Sequence, residues 1–152
     1  MKIISITAVA AVALTATTAF AQDFNAEKKA RQGQFRIMAF NLGLLGDMLK
    51  GEREFDAGMA QEAADNLVTV SNLHEDAMWP AGSDNMSIDG TRAQPNIWEK
   101  PDEFAAKWAD FGKAAVAMQA AVAGGPDAIG PAMGPIGGSC KACHETFRAP
   151  EG

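Results

Sequence analysis

The chain has 152 residues and a formal net charge of −6 at neutral pH, with 19 acidic against 13 basic side chains. This length suits one compact domain with one core and is short for two. An acidic chain is repelled by nucleic acids and by anionic membrane surfaces, so neither is expected as a partner. The only two cysteines lie three positions apart, so the residues around them decide their role.

The N-terminal segment, residues 1–21, has the pattern of a secretory signal. Lys2 precedes an uncharged apolar stretch, and Ala19-Phe20-Ala21 offers the small-x-small sequence at which signal peptidase cuts. The apolar run is short for a membrane span and no stop-transfer segment follows, so a retained anchor is the less favoured alternative. We expect a cleaved signal over 1–21 and a soluble mature domain, without membrane insertion, over 22–152.

Two amphipathic helices are predicted in the first half of the mature domain. From Ala26 to Lys50, large apolar residues recur at steps of three and four, which places them on one helical face. They are Phe35, Met38, Leu42, Leu45 and Leu49. A second pattern of this kind predicts a helix from about Asp56 to His74. Its apolar residues are Met59, Ala63, Leu67, Val70 and Leu73.

Residues 75–97 predict a long loop, because turn-forming residues occur throughout the segment. These include Pro80, Gly82, Gly90 and Pro95. Trp79 near the start and Trp98 just beyond the end indicate an ordered loop that packs against the body of the protein. The alternative, that both rings simply cover the core, is equally favoured.

A third helix is predicted from Pro101 to just before Gly124, with apolar residues at the same helical spacing. They are Phe104, Trp108, Phe111, Ala115, Met118 and Val122. A fourth segment follows Pro126, but glycines and prolines interrupt its first half, so a helix is firmly predicted only from Ile136. Four amphipathic segments without alternating β patterns predict an all-α fold, an antiparallel four-helix bundle.

The sequence from Cys140 to His144 is a CxxCH motif. On a helix, two thiols one turn apart can each add to a vinyl group on one porphyrin, and the adjacent histidine projects its imidazole at the iron. The motif predicts one covalently attached haem c, held by Cys140 and Cys143, with His144 as the axial iron ligand. The predicted secretory signal is consistent with this cofactor, because c-type haem is attached after export.

Three alternatives for the motif are less favoured. A thioredoxin-like CxxC would lie early, at the start of a helix that follows a strand. A zinc site would need a fourth ligand, for which only His74 or a carboxylate is available. A disulfide between cysteines three apart would close too short a loop to stabilise the fold. We interpret His74 as a solvent-facing residue at a helix end.

A C-terminal CxxCH motif in a four-helix pattern, with no methionine placed after it, resembles the class II c-type cytochromes and specifically the cytochrome c′ family. The resemblance covers the whole mature chain. It is strongest in the segments 138–144, 147–148, 31–35, 50–51 and 97–98. The resemblance implies a periplasmic four-helix bundle with haem c packed between its helices.

The resemblance also implies roles for residues of the first helix. Arg31 corresponds to a typical arginine, and Phe35, four positions later, is the distal residue over the open side of the iron. Phenylalanine has no lone pair to give, so a five-coordinate, high-spin iron is expected. Met38 is the alternative, because a thioether there would make a low-spin electron carrier. A core role for Met38 is favoured, since a haem shifted by a full turn would leave Arg31.

Polar residues are assigned to the haem edge by the same resemblance. Arg31 and Gln32 are placed there, where the cation can pair with a propionate, and Arg92 is placed to reach a propionate from the long loop. Arg148 lies one turn after His144 and is therefore expected near the axial imidazole. For each arginine, a solvated surface position is the alternative.

These expectations favour a ligand-binding and electron-transfer protein over an enzyme. An open iron with an apolar distal face favours uncharged NO or CO over O₂, and an accessible haem edge suits transient redox protein partners. A peroxidase would need a distal acid/base pair, and none is visible. Family members commonly form homodimers through their first two helices. Phe40 and Leu44 lie beyond the core stripe and suit such a contact.

Overall fold

A computed structural model describes residues 23–151, so the predicted signal at residues 1–21 lies outside the described residues. The order of elements is α1 (Asn25–Lys50), α2 (Ala57–Ser71), a 3-10 turn (Asp76–Met78), α3 (Asn96–Glu99), α4 (Pro101–Val122) and α5 (Pro126–Phe147). Helix α3 is a single turn that leads into α4. The four long helices form the predicted all-α four-helix bundle, which is thereby confirmed.

The bounds of the first two helices follow local chemistry. Helix α1 ends at Lys50 and is capped by Gly51, whose φ of 74° lies in the left-handed region that glycine adopts without strain. Helix α2 begins after Asp56, whose carboxylate accepts a hydrogen bond from the backbone N–H of Met59 at 2.8 Å. It ends at Ser71, so the prediction to His74 was three residues too long. His74 is exposed, as expected.

All four long helices contribute to one core. Its fully buried large residues are Leu45 from α1, Leu67 from α2, Met118 from α4, and Ile129 and Ile136 from α5. Three residues of the predicted core stripes are exposed: Phe35 at 37%, Leu49 at 40% and Leu73 at 44%. Leu49 lies in the last turn of α1, and Leu73 lies beyond the end of α2.

Helix α5 is continuous from Pro126 to Phe147, although its first half contains Pro131 and Pro135. The prediction of a firm helix only from Ile136 was therefore too cautious. Each proline removes one backbone N–H from the helical hydrogen bonds. The burial of Ile129 and Ala132 in the core offsets this loss.

The segment between α2 and α4 is ordered and packs against the bundle. The indole N–H of Trp98, on α3, donates to the carbonyl oxygen of Trp79 at 3.0 Å, so the two ends of the loop are joined. Near its end, Ala93 forms an isolated antiparallel bridge with Arg148. This bridge fastens the loop to the end of α5, immediately after the CxxCH motif. In the described part of the chain, no helix combines the length and apolar character needed to span a membrane.

Candidate cofactor site

A cavity of about 460 Å³ lies between α1, α4, α5 and the loop. This volume falls within the range of roughly 300–1,000 Å³ that is typical of cofactor and ligand pockets. Its walls are mostly apolar. The large apolar residues that line it are Phe35, Met38, Leu42, Trp79, Ile97, Phe104, Trp108, Phe111 and Phe147. Helix α2 contributes no lining residue and supports the cavity from behind.

The α5 wall brings the CxxCH motif into this cavity. Cys140, Cys143 and His144 all line it, so the side chains that the motif predicts to act together do lie together. Both cysteines are half-buried free thiols. Burial raises the pKa of both, that of Cys143 to about 11. Burial and then the nearby cations Arg148 and Arg92 lower the pKa of His144. At neutral pH the imidazole is therefore neutral, the form that binds a metal.

The α1 wall places Phe35 in the same cavity. Its ring meets those of Trp79 and Trp108 edge-on, with centroid distances of 6.5 and 6.2 Å. Met38 also lines the cavity, but it is only 7% exposed and belongs to the main core cluster. Phe35 is thus held by two aromatic rings, whereas Met38 is packed among core side chains.

Arg31 is fixed at the edge of the cavity. The side chain is 3% exposed, and its guanidinium donates to the hydroxyl of Ser83 at 2.8 Å and to the Ser83 carbonyl at 3.0 Å. It also lies over the ring of Trp79, 4.6 Å from the centroid. Burial lowers its pKa. Next to it, Gln32 donates to the carbonyl of Gly90 at 2.8 Å.

The two other predicted arginines lie where the loop meets the end of α5. Arg92 donates through Nε to the carbonyl of Ala149 at 2.7 Å and pairs with Glu151 at 2.7 Å. Its guanidinium is therefore partly committed to the C-terminal segment. Arg148 is exposed and follows the last turn of α5. Both residues line the cavity together with Arg31 and Gln32, so all the predicted site residues share one place.

The sequence predictions missed two cations of the lining, Lys28 and Lys107. A signal for Lys28 was available, because it lies one helical turn before Arg31. With them, five lining residues carry positive charge and none is Asp or Glu. An apolar cavity with a cationic edge fits a haem, whose macrocycle is apolar and whose two propionates are anionic. The thiols and the imidazole supply the attachment and axial groups that haem c requires.

Residues 23–151 contain no group of three His, Cys, Asp or Glu side chains that could hold a metal ion without a cofactor. A porphyrin supplies the equatorial nitrogens itself, so that one axial imidazole suffices.

Four packed helices, the last of which carries CxxCH into an apolar cavity with cationic edges, define a c-type haem protein of the four-helix class. The family model described as cytochrome C′ matches residues 26–148. The chain belongs to the cytochrome c′ family, whose proteins carry covalent haem c and act in electron transfer and ligand binding.

Individual relatives agree with this assignment. Cytochrome c-554 of Cereibacter sphaeroides is 40% identical over 120 residues, which cover 79% of this chain and 90% of that protein. A cytochrome c′ of the same species is 35% identical over 130 residues, 86% of this chain and 87% of the relative. The solved cytochrome c′ from Rhodobacter spheriodes superposes with a TM-score of 0.81 at 34% identity, and covers 86% of this chain and 100% of its own.

Proposed function

We propose that this chain is a periplasmic cytochrome with one five-coordinate, high-spin haem c, which binds NO and CO and exchanges electrons with redox protein partners. The observation that carries the proposal is the position of Phe35, held between Trp79 and Trp108 on the α1 wall of the cavity. Its ring offers no lone pair to iron. The bound haem supplies an iron that takes up a gas molecule and changes oxidation state by one electron.

Eight residues are assigned to holding the haem. The thiols of Cys140 and Cys143 would attach the haem through its vinyl groups, and the imidazole of His144 would bind its iron. Arg31 and Gln32 line the cavity from α1, and Arg92 and Arg148 line it from the junction of the loop with α5, so these four would hold the edge of the haem. Phe35 is the distal residue. Arg31 needs little reorganisation to pair with a propionate, because Ser83 and Trp79 already fix its guanidinium.

The distal surroundings favour uncharged gases. The indole N–H of Trp108 already donates to the carbonyl of Ser71 at 3.1 Å, and the neighbouring Phe35, Met38 and Leu42 carry no donor. Because these four side chains offer no free hydrogen-bond donor, they disfavour O₂, whose bound form is polar, relative to NO and CO. The lack of a distal histidine also argues against a peroxidase role. A nitric oxide complex is known for a mutant cytochrome c prime from Alcaligenes xylosoxidans, 31% identical, TM-score 0.73.

Met38 supports the second candidate function, that of a low-spin electron carrier, because its thioether also lines the cavity. The two candidates differ in one spectrum. We expect the purified ferrous protein to show a high-spin optical spectrum that shifts on addition of CO. A low-spin ferrous spectrum that ignores CO and that changes in Met38→Leu would establish Met38 as the sixth ligand and overturn the proposal.

The exposed face of α1 supports a homodimer. Ile37 is 50% exposed and Phe40 is 66% exposed, although both are large and apolar. Leu44, which the sequence placed on this face, instead packs partly buried against the core. One solved relative, 25% identical, is described as a cytochrome c′ with ligand-controlled dimer dissociation. Sedimentation of wild type and Phe40→Glu tests this proposal: we expect a dimer for the former and a monomer for the latter.

Export to the periplasm rests on the predicted signal at residues 1–21. N-terminal sequencing of the protein recovered from a periplasmic extract tests it, with Gln22 as the expected first residue. An intact Met1 would contradict cleavage.

A further inference from the structure

The charge around the cavity is opposite to the charge of the chain. The protein carries a net charge of −6, yet five lining residues are cationic and none is acidic. They are Lys28, Arg31, Arg92, Lys107 and Arg148. A local excess of one sign against an opposite net charge creates a directional field, which steers charged partners to that place.

Four of these five cations have no carboxylate partner within residues 23–151. Arg92 alone forms an ion pair, with Glu151 at 2.7 Å. Lys28 donates to the backbone carbonyl of Asp89 at 2.8 Å, which leaves its charge in place. Elsewhere on the surface, Lys113 pairs with Asp110 at 2.9 Å. Two haem propionates and the carboxylate of Glu151 would balance three of the five lining cations, which leaves two of them uncompensated within the lining.

These cations come from every wall of the cavity. Lys28 lies on α1, Arg92 on the loop, Lys107 on α4 and Arg148 at the end of α5. None of the four is fully buried, in contrast to Arg31. We call these four residues the cationic mouth. They surround the same cavity in which the CxxCH motif lies, so a body attracted to the mouth arrives beside the haem.

We propose that the cationic mouth docks the acidic surface of a redox partner, so that electrons enter and leave the haem at this place. This inference rests on the proposed electron-transfer function and names the class of partner. A partner that presents carboxylates around its own redox centre would be steered by the mouth and repelled by the rest of the acidic surface. Such an encounter needs only a small, transient interface, below about 1,200 Å².

Two small oxidants of opposite charge test the field at the mouth. The ferrous holoprotein is mixed rapidly with ferricyanide, an anion, or with tris(phenanthroline)cobalt(III), a cation. Each oxidant accepts one electron from the protein, to give ferrocyanide or the cobalt(II) complex, and leaves the haem ferric. We expect the rate with ferricyanide to fall as ionic strength rises, and the rate with the cobalt complex to rise, because salt screens attraction and repulsion alike.

Charge-reversal variants show which part of the surface causes the dependence of the rate on charge. At low salt, Lys28→Glu and Lys107→Glu should each lower the rate of oxidation by ferricyanide by about 3-fold to 10-fold. Each should raise the rate of oxidation by the cobalt complex. Lys113→Glu is the matched control, because it changes the net charge equally, lies on the same helix as Lys107 and does not line the cavity. It should change both rates by less than twofold, an expectation that follows from screening over distance.

Two results overturn the inference. A ferricyanide rate that rises with ionic strength would mean that the net negative charge governs approach. Equal effects of Lys113→Glu and Lys107→Glu would mean that the position of the charge does not matter. Because Lys28 and Lys107 lie on different helices, failure of one variant to fold leaves the other, and the wild-type salt dependence needs no variant. The haem spectrum and CO binding of each preparation test the proposed function separately.

Discussion

Phe35 lies on the apolar face of α1 and is nevertheless 37% exposed. The reason is its position at the cavity, where the ring touches Trp79 and Trp108 at their edges. A ring held at two edges and open on one face can be pushed aside by an incoming molecule. As the proposed distal residue, it would obstruct the approach to the iron without closing the cavity.

Replacement of Phe35 by alanine should accelerate CO association. The ring must move before a gas reaches the iron, so its removal should increase the rate about tenfold or more if at least ~1.4 kcal/mol of the barrier is steric. The loss of stability should be below the roughly 3–5 kcal/mol of a fully buried phenylalanine, because part of the ring is exposed. Flash photolysis of the CO complex measures the rate.

Phe35→Met is the companion variant, and it should drive the ferrous haem toward a six-coordinate, low-spin state that resists CO. Met38→Leu is the control and should leave CO association close to that of wild type. An unchanged rate in Phe35→Ala would remove Phe35 from the distal position.

Glu75 is partly buried beside α1, and its carboxylate accepts a hydrogen bond from the amide of Gln34 at 2.5 Å. Burial raises its pKa above the ordinary 4.5, and the bond from Gln34 opposes this only in part. Between the unfolded and folded pKa values the native carboxyl holds a proton that the unfolded chain has lost. The free energy of unfolding therefore falls as pH rises from about 4.5 through the folded pKa.

Glu75→Gln should remove this pH dependence, because the amide stays uncharged and its oxygen can still accept from Gln34. Above the folded pKa, the variant should be more stable than wild type. Urea unfolding of the ferric holoprotein between pH 4 and pH 8 measures the difference, with Glu62→Gln, an exposed change on α2, as control. If the free energy of unfolding changed with pH in the same way for wild type and Glu75→Gln, the raised pKa of Glu75 would be contradicted.

The sequence predicted the bounds of some helices more accurately than those of others. Helix α1 and the start of α4 match the prediction within one residue, because periodic apolar residues and flanking Gly or Pro act locally. Helix α2 was predicted too long because Leu73 continues the apolar spacing, although it lies beyond the end of α2 and is 44% exposed. The first half of α5 was underestimated, because its stability comes from packing of Ile129 and not from local propensity.

Some residues of the candidate site could likewise be predicted from the sequence, and others could not. The CxxCH motif identifies three side chains by spacing alone, whereas the hydrogen bond from Arg31 to Ser83 joins residues 52 positions apart. No local pattern predicts such a pairing, since it depends on how the loop folds over α1. The positions of Lys28 and Lys107 at the mouth depend on helix packing for the same reason.

Arg31→Lys tests the attachment of the loop to α1. Lysine keeps the charge but cannot donate two parallel bonds to Ser83 or stack its planar group on Trp79. We expect a loss of about 1–3 kcal/mol in the free energy of unfolding and faster amide exchange in residues 79–93. Arg36→Lys, an exposed change on the same helix, is the control and should have no effect. Equal exchange in both variants would show that the loop is held by other contacts.

At the scale of the whole molecule, the bundle is built around its cavity. Helix α2 packs against α1 and α4, and α4 packs against α5, while the cavity lies among α1, α4 and α5 along one side. The walls contribute aromatic rings that would meet water if nothing filled the space. A group that binds only the folded state stabilises it by mass action, and covalent attachment makes that binding permanent. Haem is thus expected to be part of the core as well as the cofactor.

Replacement of both Cys140 and Cys143 by alanine should therefore produce a haem-poor protein of lower stability. A ligand present at 100 to 1,000 times its Kd contributes roughly 3–4 kcal/mol, which corresponds to a fall in Tm of about 10 °C or more when that contribution is lost. Haem content after acid-acetone extraction and thermal unfolding followed by circular dichroism measure the two effects. Ser139→Ala is the matched control, because Ser139 lines the cavity beside Cys140 but has no thiol, and its hydroxyl donates to the carbonyl of Ile136 at 2.8 Å. We expect this control to retain its haem through extraction and to have the same Tm as wild type. Full loading with haem that resists extraction in the double variant would show that the two thiols are not the points of attachment.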